Sequence, residues 1–146
     1  MKKLKVIGSF EKISFPDFSL YDVIAKIDTG ATSGAIHATE IEEIELPTGE
    51  KAVRFRPLGR GSRYTVQTFT MGMIRSSNGQ SQLRYIIPTT VEVQNVQYKI
   101  NISLADRSLM KKDVLIGRKF LRSHGFIVDV TRGNKYGELG RIPIWR

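Results

Sequence analysis

Residues 25–33 read Ala-Lys-Ile-Asp-Thr-Gly-Ala-Thr-Ser, and the structure expected for the chain can be worked out from this segment. The apolar residues Val23, Ala25 and Ile27 are spaced two apart, so their side chains lie on one face of a strand. Asp28 comes at the end of that strand, where the chain enters a glycine-containing turn. The pattern predicts a carboxylate exposed on a loop at a strand end.

A second segment, residues 114–121, reads Val-Leu-Ile-Gly-Arg-Lys-Phe-Leu. The three apolar residues favour a short strand, and the residues that follow Gly117 favour a helix over Arg118–Ser123. Gly125 lies just past the end of that helix, where glycine commonly terminates helices. The sequence predicts no other helix.

The rest of the chain has the alternating pattern of strands. Residues 91–93 and 98–104 form one expected hairpin, which turns near Asn95. Residues 68–75 and 82–87 form a second hairpin with the polar tip Ser76-Ser77-Asn78-Gly79, in which Asn-Gly tolerates the positive φ of a tight turn. Further strands are expected at residues 4–14, 21–28, 35–46, 52–58, 113–116 and 126–130. We therefore expect an all-β fold in one domain over residues 1–146.

The residue types exclude several classes of chemistry. The chain has no cysteine, which excludes disulfides, thiolate metal sites and a cysteine nucleophile. Its two histidines, His37 and His124, are far apart, and there is no GxxxxGK[ST] phosphate loop. We therefore expect no metal and no other cofactor, and a reaction independent of ATP. His37 is expected to be a packed or hydrogen-bonded structural residue, and Ser33 and Ser77 to be turn residues rather than nucleophiles.

The apolar segments are short. Those near the N-terminus extend only over residues 6–8, which is too little for a secretion signal, and no segment approaches the roughly 18 apolar residues of a membrane span. We expect a cytoplasmic protein with no membrane partner.

Charge is distributed unevenly along the chain. The net charge is +9, yet residues 1–50 hold five Lys and nine acidic residues, and all twelve arginines lie at or beyond Arg54. This asymmetry indicates either a surface that recruits a polyanion, such as nucleic acid or an acidic peptide, or simply a well-solvated basic protein. Charge alone leaves both interpretations open.

The two segments described first resemble the marks of the retropepsin-like aspartic proteases, which are an Asp-Thr-Gly-Ala loop and two apolar residues before Gly-Arg and a short helix. More narrowly, residues 25–37, the tip with Arg84-Tyr85, Asp106-Arg107 and residues 115–121 are similar to a bacterial family once labelled ATP-dependent zinc proteases and also described as RimB-type retropepsin-like peptidases. The resemblance implies a closed β-barrel of the acid protease fold, with the hairpin at Ser76–Gly79 as a flap over the substrate.

Aspartic protease chemistry needs two neighbouring carboxylates that share one proton. The chain has one Asp-Thr-Gly, so the enzyme would be an obligate homodimer with the dyad formed by Asp28 and its twofold mate. The resemblance implies that Thr29 hydrogen-bonds across the dyad and that Gly30 permits close approach of the carboxylates and the peptide. The residues expected to bind substrate are Ala31, Arg75, Ser76, Ser77, Asn78, Gly79, Arg84, Arg107 and Arg118.

The loop departs from the viral pattern at one position. Viral members carry an acid where this chain has Thr32, and their arginine after the second glycine pairs with that acid. Arg118 therefore either pairs with another carboxylate or is free to bind substrate, and the sequence leaves both possibilities open.

The expected substrate follows from the resemblance and agrees with the charge. The family stands beside ATP-grasp ligases that add glutamates to protein C-termini, which implies a peptidase for acidic, glutamate-rich tails. The alternative from another class is a basic β-barrel that binds RNA or a ribosomal surface, although no RNP-like motif or row of exposed aromatic residues favours nucleic acid. A third possibility is a retropepsin fold that only binds acidic peptides.

Overall fold

The computed structural model describes residues 4–75, 79–110 and 112–137, and over these the chain is mostly β. Two short 3-10 turns lie at Pro16–Phe18 and Asn134–Tyr136. No helix in the described ranges is long and apolar enough to cross a membrane. The remaining elements are β1 (Lys5–Gly8), β2 (Phe10–Phe15), β3 (Leu20–Ile27), β4 (Gly34–Glu45), β5 (Lys51–Pro57), β6 (Tyr64–Val66), β7 (Thr70–Arg75), β8 (Ser81–Val93), β9 (Val96–Ala105), β10 (Val114–Ile116), α1 (Arg118–Ser123) and β11 (Phe126–Asp129).

Six strands close into a ring. Neighbouring strands pair in the order β10, β3, β2, β8, β9, β4, and β4 then pairs with β10 again. Strands β5 and β6 extend the sheet outward from β4, and β7 pairs with β8 beyond the ring. The expectation of a closed all-β barrel with a flap-like hairpin and one short helix is confirmed.

The core fills the inside of this ring because apolar residues alternate along its strands. Val23, Ala25 and Ile27 of β3 are buried, as the spacing predicted. Ile102 of β9 and Val91 of β8 have no exposed surface. Burying a side chain of this size contributes roughly 1.5–3 kcal/mol, so the ring is held mainly by its apolar interior.

The predicted turn near Asn95 and the predicted helix are confirmed. Gln94 and Asn95 both have positive φ, 52° and 66°, which is the geometry of a two-residue hairpin turn between β8 and β9. Helix α1 runs over Arg118–Ser123, and Gly125 follows it with φ 70°, so glycine ends the helix at no steric cost.

The prediction of one strand over residues 4–14 was wrong. The chain forms two strands there because β1 pairs in parallel with β11 in a separate two-stranded sheet, whereas β2 joins the ring. The break lies at Ser9, whose N–H donates to the carbonyl oxygen of Arg132 at 2.9 Å. The three-residue edge strand β6 and the two 3-10 turns were not predicted, since segments so short carry little periodicity.

Candidate active site

The loop after Asp28 passes over the end of β10. Strand β10 lies between β3, with which it runs parallel, and β4, with which it runs antiparallel, so residues 28–33 must cross its C-terminal end. The Asp28 N–H donates to the Ile116 carbonyl at 2.8 Å. The Asp28 carboxylate accepts the Gly30 N–H at 2.9 Å, and its carbonyl accepts the Ala31 N–H at 3.2 Å. The carboxylate is therefore held in one orientation at the strand end, half-buried.

Three glycines let this loop pack closely. A Cβ added at Gly30 would lie 3.2 Å from the Asp28 carboxylate oxygen, so a larger residue there would crowd the carboxylate. A Cβ at Gly117 would lie 2.7 Å from the Ser33 carbonyl, and one at Gly34 would lie 2.7 Å from the Leu115 carbonyl oxygen. The loop, β10 and the start of α1 thus meet backbone against backbone.

Arg118 is bonded to the loop by its backbone and its side chain. Its N–H donates to the Ala31 carbonyl at 2.8 Å. Its guanidinium donates to the Thr29 carbonyl and to the Thr32 hydroxyl, both at 3.1 Å. From the sequence, Arg118 was expected either to pair with a carboxylate or to be free. The structure shows a third arrangement, because Thr32 supplies a neutral acceptor at the position where viral members of the class have an acid. The positive charge of Arg118 therefore stays beside the loop, bonded to uncharged oxygens.

Arg84 and Arg107 are brought to the same end of the barrel by β8 and β9. Ile86 of β8 pairs with Ser103 of β9; Arg84 comes two residues before Ile86, and Arg107 comes four residues after Ser103. Both arginine side chains are half-buried. Their hydrogen bonds go to neutral acceptors, since Arg84 Nε donates to Gln82 Oε1 at 2.9 Å and Arg107 Nε donates to the Lys112 carbonyl at 3.1 Å.

Electrostatic interactions link the two arginines to each other and link Arg107 to Asp28. Burial lowers the pKa of Arg84. Burial also lowers the pKa of Arg107, the neighbouring charge of Arg84 lowers it further, and the carboxylates of Asp113 and Asp28 raise it. Both guanidinium groups remain charged at neutral pH, because arginine loses its proton only under strongly basic conditions. Two positive charges therefore repel each other next to Asp28.

The arginines of the β4–β5 hairpin are in a different situation. Acidic side chains of β4 neutralise them, with Arg54 bonded to Glu42 at 2.6 Å and Arg56 bonded to Glu40. Arg63 lies 3.6 Å from the same Glu42. Two acidic residues of β4, Glu40 and Glu42, thus pair with basic residues away from Asp28.

Of the residues predicted at the flap and beside it, the structure describes Arg75 and Gly79 at the end of the β7–β8 hairpin. Arg75, the last residue of β7, pairs with Ser81 and is exposed. Gly79 is exposed with φ 86°, as a tight turn requires. Ser76, Ser77 and Asn78 lie outside the described residues. Arg75 is three residues from Gly72, the cross-strand partner of Arg84, so it lies about 10 Å farther along the hairpin.

His37 is structural, as predicted. It is 8% exposed, and its Nδ1 accepts the Arg107 N–H at 2.8 Å. Because a backbone N–H can only donate, Nδ1 is the unprotonated ring nitrogen. Sequence reasoning did not find this link, nor the roles of Gln82 and Lys112 in holding the arginines. Across the described ranges, no three His, Asp or Glu side chains form a group that could hold a metal.

A closed β-barrel in which an Asp-Thr-Gly loop crosses a short strand that leads through Gly-Arg into a helix defines the retropepsin-like class of aspartic proteases. The chain belongs to the RimB-like family, described as retropepsin-like aspartic endopeptidase RimB, and the family model matches residues 6–136.

Curated relatives carry a different name. A protein of Desulfotalea psychrophila named probable alpha-L-glutamate ligase is 29% identical over 143 residues, which cover 94% of this chain and 30% of that protein. A protein of Shewanella pealeana with the same name is 28% identical, over 95% of this chain and 31% of that protein. The chain thus spans less than a third of the length of these relatives.

A solved structure has a similar fold. The crystal structure of a Legionella pneumophila protein of unknown function (DUF785) matches with a TM-score of 0.71 and 25% identity, covering 88% of this chain and 95% of that one.

Proposed function

We propose that the chain is an aspartic endopeptidase that acts as a homodimer on acidic, glutamate-rich peptide tails. The observation that carries the proposal is the half-buried Asp28 carboxylate, oriented by the Gly30 N–H at the crossing of β3, β10 and β4. Membership in the RimB-like family supports the same chemistry. Thr29, Gly30 and Ala31 form the rest of the loop that would face the peptide.

The second carboxylate of the dyad comes from a second copy in this proposal. The parallel register of β3 and β10 aligns Val114 with Ala25 and Ile116 with Ile27, so Asp113 lies at the opposite end of this ladder from Asp28. Four residues separate their levels, about 13 Å, whereas a dyad needs carboxylates a few ångströms apart. A twofold axis next to Asp28 would bring two identical loops together.

The reaction uses one ionised and one protonated Asp28. The ionised carboxylate takes a proton from water as the water oxygen bonds to the peptide carbonyl carbon, and the protonated carboxyl donates its proton to the carbonyl oxygen. When the carbon–nitrogen bond breaks, the leaving nitrogen takes the first proton and the diol hydroxyl returns one to the dyad. Two Asp28 groups and one water balance every proton, so the step needs no metal and no ATP.

The acidic substrate is supported by charge and by the relatives. Arg84, Arg107 and Arg118 place positive charge beside Asp28 while the arginines of the β4–β5 hairpin are neutralised. Such a surface raises the local concentration of a polyanion, and its effect weakens as salt rises. Relatives named for glutamate ligation contain a matching segment, which fits a peptidase acting on glutamate tails.

The test is cleavage of a peptide with a C-terminal run of glutamates by the wild-type protein and by Asp28→Asn, with EDTA present throughout. We expect cleavage by the wild type and at least about a thousandfold slower cleavage by the variant, because its dimer carries two carboxamides in place of the dyad and a carboxamide can supply neither proton transfer. Equal cleavage by both proteins would contradict the role of Asp28. Cleavage by neither, with salt-sensitive RNA binding by both, would favour the basic binding module instead.

A further inference from the structure

We propose that Arg84 and Arg107 form one subsite that binds a single side-chain carboxylate of the substrate, next to the bond that is cut. The inference rests on the proposed function for its substrate and goes beyond it by assigning one substrate position to one pair of residues. It distinguishes a built site from a general attraction between a basic protein and an acidic peptide.

The first support is the way both side chains are held. Each Nε donates to a neutral acceptor, from Arg84 to Gln82 and from Arg107 to the Lys112 carbonyl, at 2.9 and 3.1 Å. A guanidinium has five N–H donors, so the terminal NH₂ groups of both residues keep donors for a ligand. Fixing the Nε end orients this fork, which suits a planar carboxylate.

The second support is the backbone around Arg107. Its N–H donates to the buried His37 ring at 2.8 Å, and the preceding Asp106 carboxylate accepts the Ser108 N–H at 2.9 Å. The turn that carries Arg107 is therefore bonded on both sides. A fork held in this way loses little side-chain freedom when it binds, and preorganisation of that kind favours affinity.

The third support is electrostatic. The two half-buried guanidinium groups repel each other, and among the described residues neither forms a salt bridge with a carboxylate of the chain. A carboxylate placed between them would relieve this repulsion and form charge-assisted hydrogen bonds with both. Because Asp28 also interacts electrostatically with Arg107, that ligand carboxylate would lie beside the catalytic loop.

The experiment measures binding separately from cleavage. Peptides with six C-terminal glutamates, and a set in which each glutamate in turn is replaced by glutamine, are titrated into full-length Asp28→Asn protein by calorimetry. The same set is titrated into Asp28→Asn proteins that also carry Arg84→Gln or Arg107→Gln. Arg54→Gln on the same background is the matched control, because it removes the same charge from a residue already paired with Glu42.

We expect one glutamine position to weaken binding about ten- to a hundredfold, which is the usual effect of losing a charge-assisted contact. Arg84→Gln and Arg107→Gln should each weaken binding of the all-glutamate peptide by a similar factor. In each of these variants, the glutamine at that one position should no longer affect binding. The peptide affinity of Arg107→Lys should lie between that of the protein with Arg107 and that of Arg107→Gln, since lysine keeps the charge but lacks the forked guanidinium. Arg54→Gln should change the peptide affinity by no more than about twofold.

Equal effects at every glutamine position, the same loss with Arg54→Gln, or no measurable binding would overturn the subsite. A wild-type protein that fails to cut while the coupling at one position is present would contradict the proposed peptidase and leave the subsite standing. Efficient cutting by the wild type, without a glutamine position whose effect depends on Arg84 and Arg107, would support the peptidase and contradict the subsite.

Discussion

At the scale of the residue, Gly30 contacts the Asp28 carboxylate and not the core of the barrel. Its added Cβ would meet only the Asp28 carboxylate oxygen, at 3.2 Å, within 4 Å. Its N–H is also the donor that orients this carboxylate. A side chain there would press on the reacting group and leave the barrel untouched.

We therefore predict that Gly30→Ala lowers kcat on a glutamate-tailed peptide by about ten- to a hundredfold, because a small displacement of a catalytic group is costly. The free energy of unfolding should change by less than about 1 kcal/mol, the usual range for a substitution that meets no core atoms. Peptidase kinetics and urea unfolding of the same preparation check both parts. An unchanged kcat would show that the carboxylate does not need this close approach.

The hydrogen-bond partners of Arg118 could not be predicted from the residue at position 32. The sequence gives Thr32 where viral relatives have an acid, and charge complementarity then suggests a different carboxylate or a free guanidinium. The structure satisfies the guanidinium with the Thr29 carbonyl and the Thr32 hydroxyl instead. Backbone acceptors are present at every position, so no residue pattern distinguishes this solution in advance.

At the scale of the element, α1 is joined at Gly117 to the loop that carries Asp28. The loop residues Ala31 and Thr32 accept the N–H groups of Arg118 and Lys119 at 2.8 and 2.9 Å. These bonds need the two backbones in contact, and Gly117 allows it.

Gly117→Ala should therefore destabilise the protein by about 1–3 kcal/mol, the usual cost of forcing an extra methyl group into a packed site. The added Cβ would lie 2.7 Å from the Ser33 carbonyl, and backbone atoms cannot rotate away as a side chain can. Urea unfolding monitored by circular dichroism measures the change. Gly72→Ala is a useful comparison for the added methyl, since the atom that a Cβ there would crowd is the end of the Ile86 side chain, which can rotate away. Stability equal to wild type in Gly117→Ala would contradict the contact.

His37 links β4 to the turn that carries Arg107. We predict that His37→Ala costs about 1–3 kcal/mol of stability, because the Arg107 N–H loses its acceptor, and that it raises KM for a glutamate-tailed peptide more than it lowers kcat. In His37→Asn, KM should return most of the way to its wild-type value, since the asparagine Oδ1 can occupy the position of Nδ1 and accept the Arg107 N–H. Failure of asparagine to rescue KM would leave His37 a packing residue only.

Alternation along the strands was enough to predict the hairpins, and glycine placement was enough to predict the limits of α1. The closed barrel was expected only from the family resemblance, because closure depends on the three-residue strand β10 entering between β3 and β4, which local patterns do not show. Local patterns do not show the proximity of Arg84 and Arg107 either, since it comes from pairing of β8 with β9 across a long sequence separation. Local sequence patterns encode elements well and the pairing of distant elements poorly.

At the scale of the whole molecule, some basic residues in the described part of the chain are paired with acidic residues and others are not. The acidic residues of β4 pair with basic residues of β5 and its neighbouring loop, away from Asp28. Arg84, Arg107 and Arg118 add positive charge at the end of the barrel that carries the Asp28 loop.

The central claim is that two copies of Asp28 share one active site, and subunit mixing tests it most directly. Wild-type and Asp28→Asn chains, tagged differently, are co-expressed in equal amounts, and mass spectrometry of the purified protein verifies their ratio. Random pairing makes about a quarter of the dimers wild type in both subunits, so activity should be about a quarter of that of the same amount of wild-type protein. Activity near one half would mean that each chain cuts with its own Asp28, and would contradict the shared dyad.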